Sequence, residues 1–471
     1  MIKKFFFIFI LFLSFRMESQ NWDSIRGGLP NDIIRSVLFD SVHNELLVSG
    51  NYLNNIGSLP VRGVARWNGL RWDSLAGGIN THDKVLNPNN PGAYITSCVP
   101  YNGKLLVAGG FSSIGDINAT SLALWDGIKW DSLPKRAFRF NPTSATYVGV
   151  QKLNNTIYVY GQFDSIAGQK ATGLATWDGI NFNPIMVPLT TSSLDVVGCV
   201  AYYQSELYIS GGYFTIAGTY TSQPDVLKYN GSNWVSTTGV GLKSNFSSVN
   251  PLIIYNNELY AAGHFVMSGG DPGNNIMKWN GSQWTDIGFG DGIGFESIAN
   301  LVIHNNKLWA IGCYYTAAGM STYGASVYDG TKWCVLQDTV DNCLNGAAVY
   351  NDTVYVGGGF WTAGGDSHIS YLAKLKDETL LKNCNGVGIK ELNESNSISI
   401  YPNPVSNILY IESDQYFEAG TQIEITNALG QIVFKMAFKN EIDLSVISSG
   451  CYILNITTNN KQTIHSRFIK Q

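Results

Sequence analysis

Short runs of alternating hydrophobic and polar residues, interrupted by Gly, Asn or Asp, pattern most of the chain. Alternation with a period of two is typical of β-strands that bury one face. One unit recurs: an aromatic residue, then Asn-Gly or Asp-Gly, then a second aromatic three residues after the glycine. Its copies carry the aromatic pairs Trp67/Trp72, Trp125/Trp130, Trp177/Phe182, Tyr229/Trp234, Trp279/Trp284 and Tyr328/Trp333. Each copy predicts a hairpin with a two-residue type I′ turn, which places Leu70 and Ile128 on the same face as the neighbouring tryptophans.

A second recurring piece lies upstream of each hairpin. A polar turn pair, such as Asn102-Gly103 or Asn256-Asn257, leads into a short apolar strand that ends in glycine and an aromatic residue. With the strand before the turn pair, each unit has four antiparallel strands. The hairpin glycines lie at 69, 127, 179, 231, 281 and 330, so the spacing falls from 58 to 49 residues.

This repeat predicts a β-propeller, because a four-stranded unit of about 50 residues is typical of a propeller blade. Leu375-Lys376-Asp377 occupies a seventh hairpin position that lacks the second aromatic residue, whereas residues 21–25 (NWDSI) match the outer strand at 71–75 (RWDSL). We therefore predict an all-β fold: a seven-bladed propeller over residues 21–377, closed by the N-terminal strand. The order of apolar strand, Gly-Gly, aromatic residue, tight turn and Trp resembles kelch repeats, with Asp/Asn-Gly in place of the longer kelch turn.

The repeated aromatic residues are interpreted as packing between blades. Stacking of sugars on an exposed aromatic surface is the alternative, but equivalent positions in successive units favour a structural role, each side chain burying about 150–250 Å². The residues assigned to this role are Trp67, Trp72, Trp125, Trp130, Trp177, Trp279, Trp284 and Trp333.

The N-terminus predicts export. Lys3 and Lys4 precede an apolar run, Phe5 to Phe15, which is too short to span a bilayer and is typical of a signal peptide over residues 1–20. We expect the rest of the chain not to be embedded in a membrane. The seven cysteines are odd in number and irregularly spaced, so no disulfide framework is indicated. Cys334 and Cys343 are close enough in sequence to pair, and buried thiols are the alternative.

The C-terminal residues resemble the type A sorting domain of bacterial type IX secretion cargo. A linker at 378–396 precedes Ile400-Tyr401-Pro402-Asn403-Pro404, and the ordered motifs continue to the terminal Phe468-Ile469-Lys470-Gln471. The resemblance implies a small β-sandwich at 397–471, recognition by the type IX machinery, and delivery to the outer-membrane surface or the extracellular space. The residues it assigns to the sorting signal are Tyr401, Pro402, Asn403, Pro404, Gly430, Gly450, Tyr452 and Lys470.

Composition and sequence motifs argue against several classes of function. A net charge of −5 offers no basic footprint for nucleic acid, and an aromatic content of 13% argues against disorder. The sequence has no HExxH, GxSxG, CxxC, EF-hand or P-loop motif, so we predict neither a metal nor a cofactor. No arginine occurs from 140 to 466, which disfavours a sialidase-type propeller with its arginine cluster.

Loop lengths suggest where a ligand would bind. The longest connection between repeats lies between Trp72 and Leu105, and its candidate ligand contacts are His82, Asp83, Lys84 and Asn90. A solvated surface loop is the alternative. We predict a monomeric, non-catalytic binding or adhesion module for a glycan or a surface protein. The alternatives are a polysaccharide hydrolase or lyase with converging carboxylates, and a structural adhesin without a small ligand.

Overall fold

The computed structural model describes residues 21–80, 93–133, 138–139, 147–189, 196–216, 219–237, 248–265, 273–290, 296–376, 381–382, 398–413, 417, 420–427, 431–458 and 463–471. Within these residues the regular elements are all β-strands, which confirms the all-β prediction. No helix in this part of the chain is long and apolar enough to cross a membrane. The chain divides into two compact units, Met1–Asn385 and Gly386–Gln471.

The larger sheets of the first unit are antiparallel and are numbered here by the position of their first strand. Sheet 1 has the strands Ser36–Asp40, Glu45–Ser49, Val64–Trp67 and Trp72–Ser74; sheet 2 has Tyr94–Tyr101, Lys104–Gly110, Leu122–Trp125 and Trp130–Ser132; sheet 3 has Val148–Leu153, Thr156–Gly161, Leu174–Trp177 and Phe182–Pro184. Sheet 4 has Val197–Tyr203, Glu206–Ile216, Thr219–Tyr229 and Trp234–Ser236; sheet 5 has Ser248–Tyr255, Glu258–His264, Ile276–Trp279 and Trp284–Asp286. Sheet 6 has Ser297–His304, Lys307–Cys313, Ala325–Tyr328, Trp333–Leu336 and Leu381–Lys382; sheet 7 has Leu344–Tyr350, Thr353–Gly358, Leu372–Leu375 and Trp22–Asp23.

Short strands in the connections between the long strands form small additional sheets. The pairs are Asn55–Ile56 with Leu59–Pro60, and Thr316–Ala317 with Met320–Ser321; the three-stranded sets are Ile79–Asn80, Ser113–Ile114 and Ile117–Asn118, and Phe138–Arg139, Ser165–Ile166 and Gln169–Lys170.

Two pairings join segments that are distant in sequence. Trp22 pairs with Leu375, so the N-terminal strand is the edge strand of sheet 7. The side-chain oxygen of Asn21 accepts a hydrogen bond from the backbone amide of Asp338 at 2.9 Å. The backbone amide of Asn21 donates one to the Asp338 carboxylate, also at 2.9 Å. Leu381–Lys382, within the stretch that the sequence suggested as a linker, pairs with the last strand of the sheet 6 repeat.

The sheets pack side by side in chain order. The first strand of each sheet contacts the first strand of the next, and the first strand of sheet 7 contacts that of sheet 1. Side chains link these strands: the Ser36 hydroxyl donates to the carbonyl of Ile95 at 2.6 Å, and the Ser97 hydroxyl accepts the amide of Val150 at 2.7 Å. Each of seven buried clusters draws its residues from two such neighbouring sheets. The eight tryptophans assigned to packing between blades are all buried.

The hairpin turns differ from the predicted type I′ geometry. Trp67 pairs directly with Trp72, which leaves a four-residue connection in which Gly69 has the positive φ (93°). The Asn68 side chain instead accepts the amides of Leu70 and Arg71, both at 3.0 Å. The residue after the glycine therefore points outward: Leu70 is 85% exposed, so its predicted position on the tryptophan face is wrong.

The same correction applies to Ile128, which is 84% exposed. Type I′ geometry occurs instead in the upstream turn pairs. Asn154 and Asn155 have φ of 46° and 66°, and Asn256 and Asn257 have φ of 48° and 60°.

Two hairpin aspartates predict an acid-dependent contribution to stability. Backbone amides, chiefly that of Lys129 for Asp126 and that of Asn181 for Asp178, lower the pKa of each carboxyl. A carboxyl whose pKa is lower in the folded state stabilises the fold above its unfolded pKa, and this contribution is lost as the pH falls through the folded pKa. Both groups are solvent-exposed, so we expect a small effect.

The test is the double variant Asp126→Asn/Asp178→Asn, because the chain itself uses Asn at this position in Asn68 and Asn280. Thermal unfolding is measured from neutral pH down through the carboxyl titration range. We expect wild type to exceed the variant by a few degrees at most near neutral pH, and this difference to shrink as the pH falls. A difference that stays constant with pH would contradict the assignment.

The disulfide also differs from the suggested one. Cys343 is joined to Cys313, with a Cα–Cα distance of 4.4 Å, rather than to Cys334. Cys313 ends the second strand of sheet 6 and Cys343 immediately precedes the first strand of sheet 7, so the bond links two sheets. Cys334 is fully buried in the core between these sheets and is also disulfide-bonded.

The second unit contains two antiparallel sheets with one shared core. One has the strands Ile398–Tyr401, Ile408–Ser413 and Glu441–Asp443; the other has Ile432–Ala437, Gln422–Asn427, Gly450–Thr457 and Thr463–Lys470. Leu409 from the first sheet and Leu454 from the second lie in that core with no exposed surface.

Candidate functional site

The ligand contacts predicted from the sequence, His82, Asp83, Lys84 and Asn90, lie outside the described residues. The connection leaves from Ile79–Asn80, which pairs with Ser113–Ile114 beside sheet 2, and chain order returns it to the first strand of that sheet. These four residues therefore stay a prediction.

A groove of about 1230 Å³ lies between sheets 3 and 4. Its walls come from the second strand of sheet 3, the segment that follows the last strand of sheet 3, and the first and last hairpins of sheet 4. The lining residues are Tyr158, Pro184, Ile185, Met186, Val187, Pro188, Tyr202, Ser205, Leu207, Tyr229, Gly231, Ser232, Asn233, Trp234 and Val235. The groove is larger than the roughly 300–1,000 Å³ typical of pockets for drug-sized ligands.

Three tyrosine rings contribute to the groove surface, together with aliphatic side chains such as Met186. Tyr202 is 37% exposed, and the rings of Tyr158 and Tyr229 are half-buried. Burial raises the pKa of Tyr158, and the neighbouring Tyr202 hydroxyl adds to the shift. The Tyr158 phenol is therefore a neutral hydrogen-bonding group at physiological pH. The Tyr229 and Trp234 rings pack at a tilted angle with centroids 5.2 Å apart.

One wall of the groove is held in place by hydrogen bonds to sheets 3 and 4. The amides of Ile185 and Val187 donate to the Leu174 carbonyl (2.9 Å) and to the Thr172 hydroxyl (2.6 Å). The Trp234 indole N–H donates to the carbonyl of Met186 at 2.9 Å. Because these contacts are made within the protein itself, they hold the wall in place, and little ordering of this wall would oppose binding.

The electrostatic character of the groove is neutral. The fifteen lining residues, taken from the part of the chain that the structure describes, include no Asp, Glu, Lys or Arg. The polar side chains are the tyrosine hydroxyls together with Ser205, Ser232 and Asn233. Such a surface can stack on the apolar face of a ring and hydrogen-bond to its uncharged polar substituents.

Hydrogen bonds and burial shift the pKa values of several titratable side chains. The pKa values of several carboxyls are lowered, not raised as a general acid requires, by hydrogen bonds within turns: those of Asp126, Asp178, Asp366 and Asp443. Burial raises the pKa of the Cys199 thiol to about 11, which leaves it protonated. No group of three His, Cys, Asp or Glu side chains suited to a metal ion occurs within the described ranges.

The second unit brings together several residues assigned to the sorting signal. The Asn403 side chain accepts the amide of Ile469 at 3.0 Å, and Val405 exchanges backbone hydrogen bonds with Ile469 and Gln471. Gly450 pairs with Lys470 on neighbouring strands. The first motif therefore lies against the C-terminal strand, although about 65 residues separate them in sequence.

Aromatic contacts support the same arrangement. Tyr452 stacks on Phe468, with centroids 5.7 Å apart, and donates its hydroxyl to the Ser448 carbonyl at 2.8 Å. Tyr401, which precedes Pro402 and Pro404 in the first motif, stacks on Tyr410 and remains 49% exposed. Gly430 lies outside the described residues.

Comparison with protein families identifies the C-terminal unit. Residues 399–471 match the family described as the secretion system C-terminal sorting domain. The sorting-domain prediction is thereby confirmed, and the match indicates a protein that engages the type IX secretion machinery and is delivered to the cell surface or the extracellular space. No curated protein sequence matches the chain.

The solved structures that resemble this chain share little sequence identity with it. The extracellular domain described as that of hybrid two-component system BT3049 from B. thetaiotaomicron has 11% identity and a TM-score of 0.47, with 96% of this chain and 57% of that chain covered. A fungal alcohol oxidase of the AA5 family, in complex with copper, has 10% identity and a TM-score of 0.42, with 96% and 99% covered. The β-propeller domain of the Trilobed protease from Pyrococcus furiosus has 8% identity and a TM-score of 0.36, with 78% and 99% covered. This chain spans less than three fifths of the BT3049 domain, and at these scores the likenesses carry no argument about function.

Proposed function

We propose that the protein is a secreted, non-catalytic binding module for a glycan or a surface protein, built on a seven-bladed, kelch-like β-propeller that follows a cleaved signal peptide. The observation that carries the binding role is the groove between sheets 3 and 4, which is uncharged and lined in part by aromatic rings. Export by the type IX route would present that groove outside the cell.

Two observations support the propeller architecture in this proposal. The first strands of the sheets are in contact in cyclic order, as blades around an axis would be. The strand carrying Trp22 completes the sheet that begins at Leu344, as expected if the two ends of the chain share the last blade. Sharing a blade closes the ring without leaving an exposed edge.

The experiment is a glycan array probed with the secreted protein, run beside incubation with polysaccharides and chromatography of the products. We expect binding without new products. New reducing ends or unsaturated sugars would contradict the non-catalytic proposal and favour the hydrolase or lyase alternative. If neither binding nor products appear, a pull-down from outer-membrane extracts must recover a surface protein specifically, or the binding role is wrong.

A further inference from the structure

A ring or polar side chain normally fills the space beside each hairpin glycine. A Cβ added to Gly69 would lie 3.1 Å from the Tyr350 hydroxyl, and one added to Gly330 would lie 3.4 Å from that of Tyr255. In both cases the tyrosine is the last residue before the turn between the first two strands of the preceding sheet.

The remaining interfaces that can be compared follow the same rule. Tyr101 of sheet 2 packs on Trp177 of sheet 3, with centroids 4.6 Å apart, and its hydroxyl reaches Gly179. His43 lies beside Gly127, and a Cβ on Gly281 would meet the Gln204 side chain at 3.0 Å. Each contact joins a turn of one sheet to the hairpin of the next.

Sheet 3 breaks this rule. Its residue before the turn is Leu153, which is shorter than tyrosine and has no hydroxyl. No atom of the described residues lies within 4 Å of a Cβ placed on Gly231, the hairpin glycine of sheet 4. The space that Tyr101 or Tyr350 fills elsewhere is therefore open at this interface.

The open space exposes rings that are buried in the other sheets. Tyr229 is half-buried, whereas the equivalent Trp67, Trp125, Trp177, Trp279 and Tyr328 are at most 5% exposed. Tyr158 is half-buried, whereas the residues at its position in the other sheets are all buried: Leu47, Leu106, Tyr208, Tyr260, Trp309 and Tyr355. The groove thus coincides with one local departure from the repeat.

We propose that this interface is a binding site for a neutral oligosaccharide, whose rings stack on Tyr158, Tyr202 and Tyr229. A sugar ring offers an apolar C–H face and uncharged hydroxyls, which match the aromatic faces and the amide and hydroxyl groups of this lining. The absence of charged side chains from the described lining disfavours acidic polysaccharides and charged peptides, whose charges would be desolvated without a partner. The groove volume favours several sugar units over one. This inference rests on the proposed binding function and specifies its ligand class.

The test variant introduces at position 153 the tyrosine that several other repeats carry at the equivalent position. Leu153→Tyr places a ring where Tyr101 and Tyr350 have theirs, beside Gly231 and Tyr229, and should block the part of the groove at Tyr229. Affinities for cellohexaose, mannohexaose, xylohexaose and oligogalacturonate are measured by calorimetry on the secreted protein. We expect wild type to bind at least one of the neutral oligosaccharides, and Leu153→Tyr to bind it about tenfold more weakly or worse.

Two further variants keep the result interpretable. Tyr229→Ala removes a stacking ring and should also weaken binding by about tenfold. Tyr101→Leu, the reciprocal change at the neighbouring interface, should leave affinity unchanged. The unfolding temperature of Leu153→Tyr should be no lower than that of wild type, which separates a partly blocked groove from a misfolded chain.

The outcomes distinguish this inference from the proposed function. Unchanged affinity in both Leu153→Tyr and Tyr229→Ala would overturn the inference while leaving a binding module with its site elsewhere. Binding of oligogalacturonate alone, or of a protein alone, would overturn it in the same way. Product formation would overturn the proposed function itself.

Discussion

Replacing Trp22 with alanine should lower the free energy of unfolding by about 3–5 kcal/mol, the usual cost of removing a fully buried tryptophan. Trp22 is 1% exposed in the core between sheets 6 and 7, pairs with Leu375, and donates its indole N–H to the Asp338 carbonyl at 3.2 Å. The loss would combine a cavity with a weakened junction between the two ends of the unit. Thermal or urea unfolding of the secreted protein measures it.

The matched control is Trp361→Ala. Trp361 is 64% exposed, so its removal should change stability by no more than about 0.5 kcal/mol. If Trp22→Ala unfolds at the same temperature as Trp361→Ala, the N-terminal strand does not hold the unit together.

Removing the disulfide between Cys313 and Cys343 should lower the free energy of unfolding by about 3–4 kcal/mol. Cys313 and Cys343 are 30 residues apart in sequence. A bond that closes a loop of this size lowers the conformational entropy of the unfolded chain, and it therefore stabilises the folded state by about that amount. The double variant Cys313→Ala/Cys343→Ala should therefore unfold at a lower temperature than wild type. Reductant should lower the unfolding temperature of wild type by more than that of the variant, which keeps the disulfide of Cys334.

Peptide mapping of the oxidised protein tests the same assignment. The expected product joins the peptide containing Cys313 to the one containing Cys343. A peptide joining Cys334 to Cys343, or insensitivity of wild type to reductant, would contradict it.

The strands were predictable because their signal is local. Aromatic residues around Asn-Gly or Asp-Gly recur at each hairpin, and the strands that carry them are antiparallel neighbours, as the pattern predicts. The register differs, because Trp67 pairs with Trp72 whereas a two-residue turn would pair it with Leu70. The outward direction of Leu70 was missed because Asn68 holds the turn through its side chain, and the residue pair alone does not reveal that geometry.

The groove and the disulfide were missed because both depend on contacts between sheets. Cys313 and Cys343 become neighbours only when sheets 6 and 7 pack together, whereas sequence distance favoured Cys334. The signal for the groove was present in the sequence: Leu153 stands where Tyr101, Tyr203, Tyr255 and Tyr350 stand in other repeats. The sequence alone does not show that the side chain at this position contacts the hairpin of the next sheet.

Hydrogen–deuterium exchange with and without a bound neutral oligosaccharide tests whether the exported protein binds its ligand between sheets 3 and 4. We expect slower exchange in peptides covering residues 184–188 and 229–235, which both line the groove. Slower exchange confined to the connection containing His82, Asp83, Lys84 and Asn90, with the groove peptides unchanged, would contradict it.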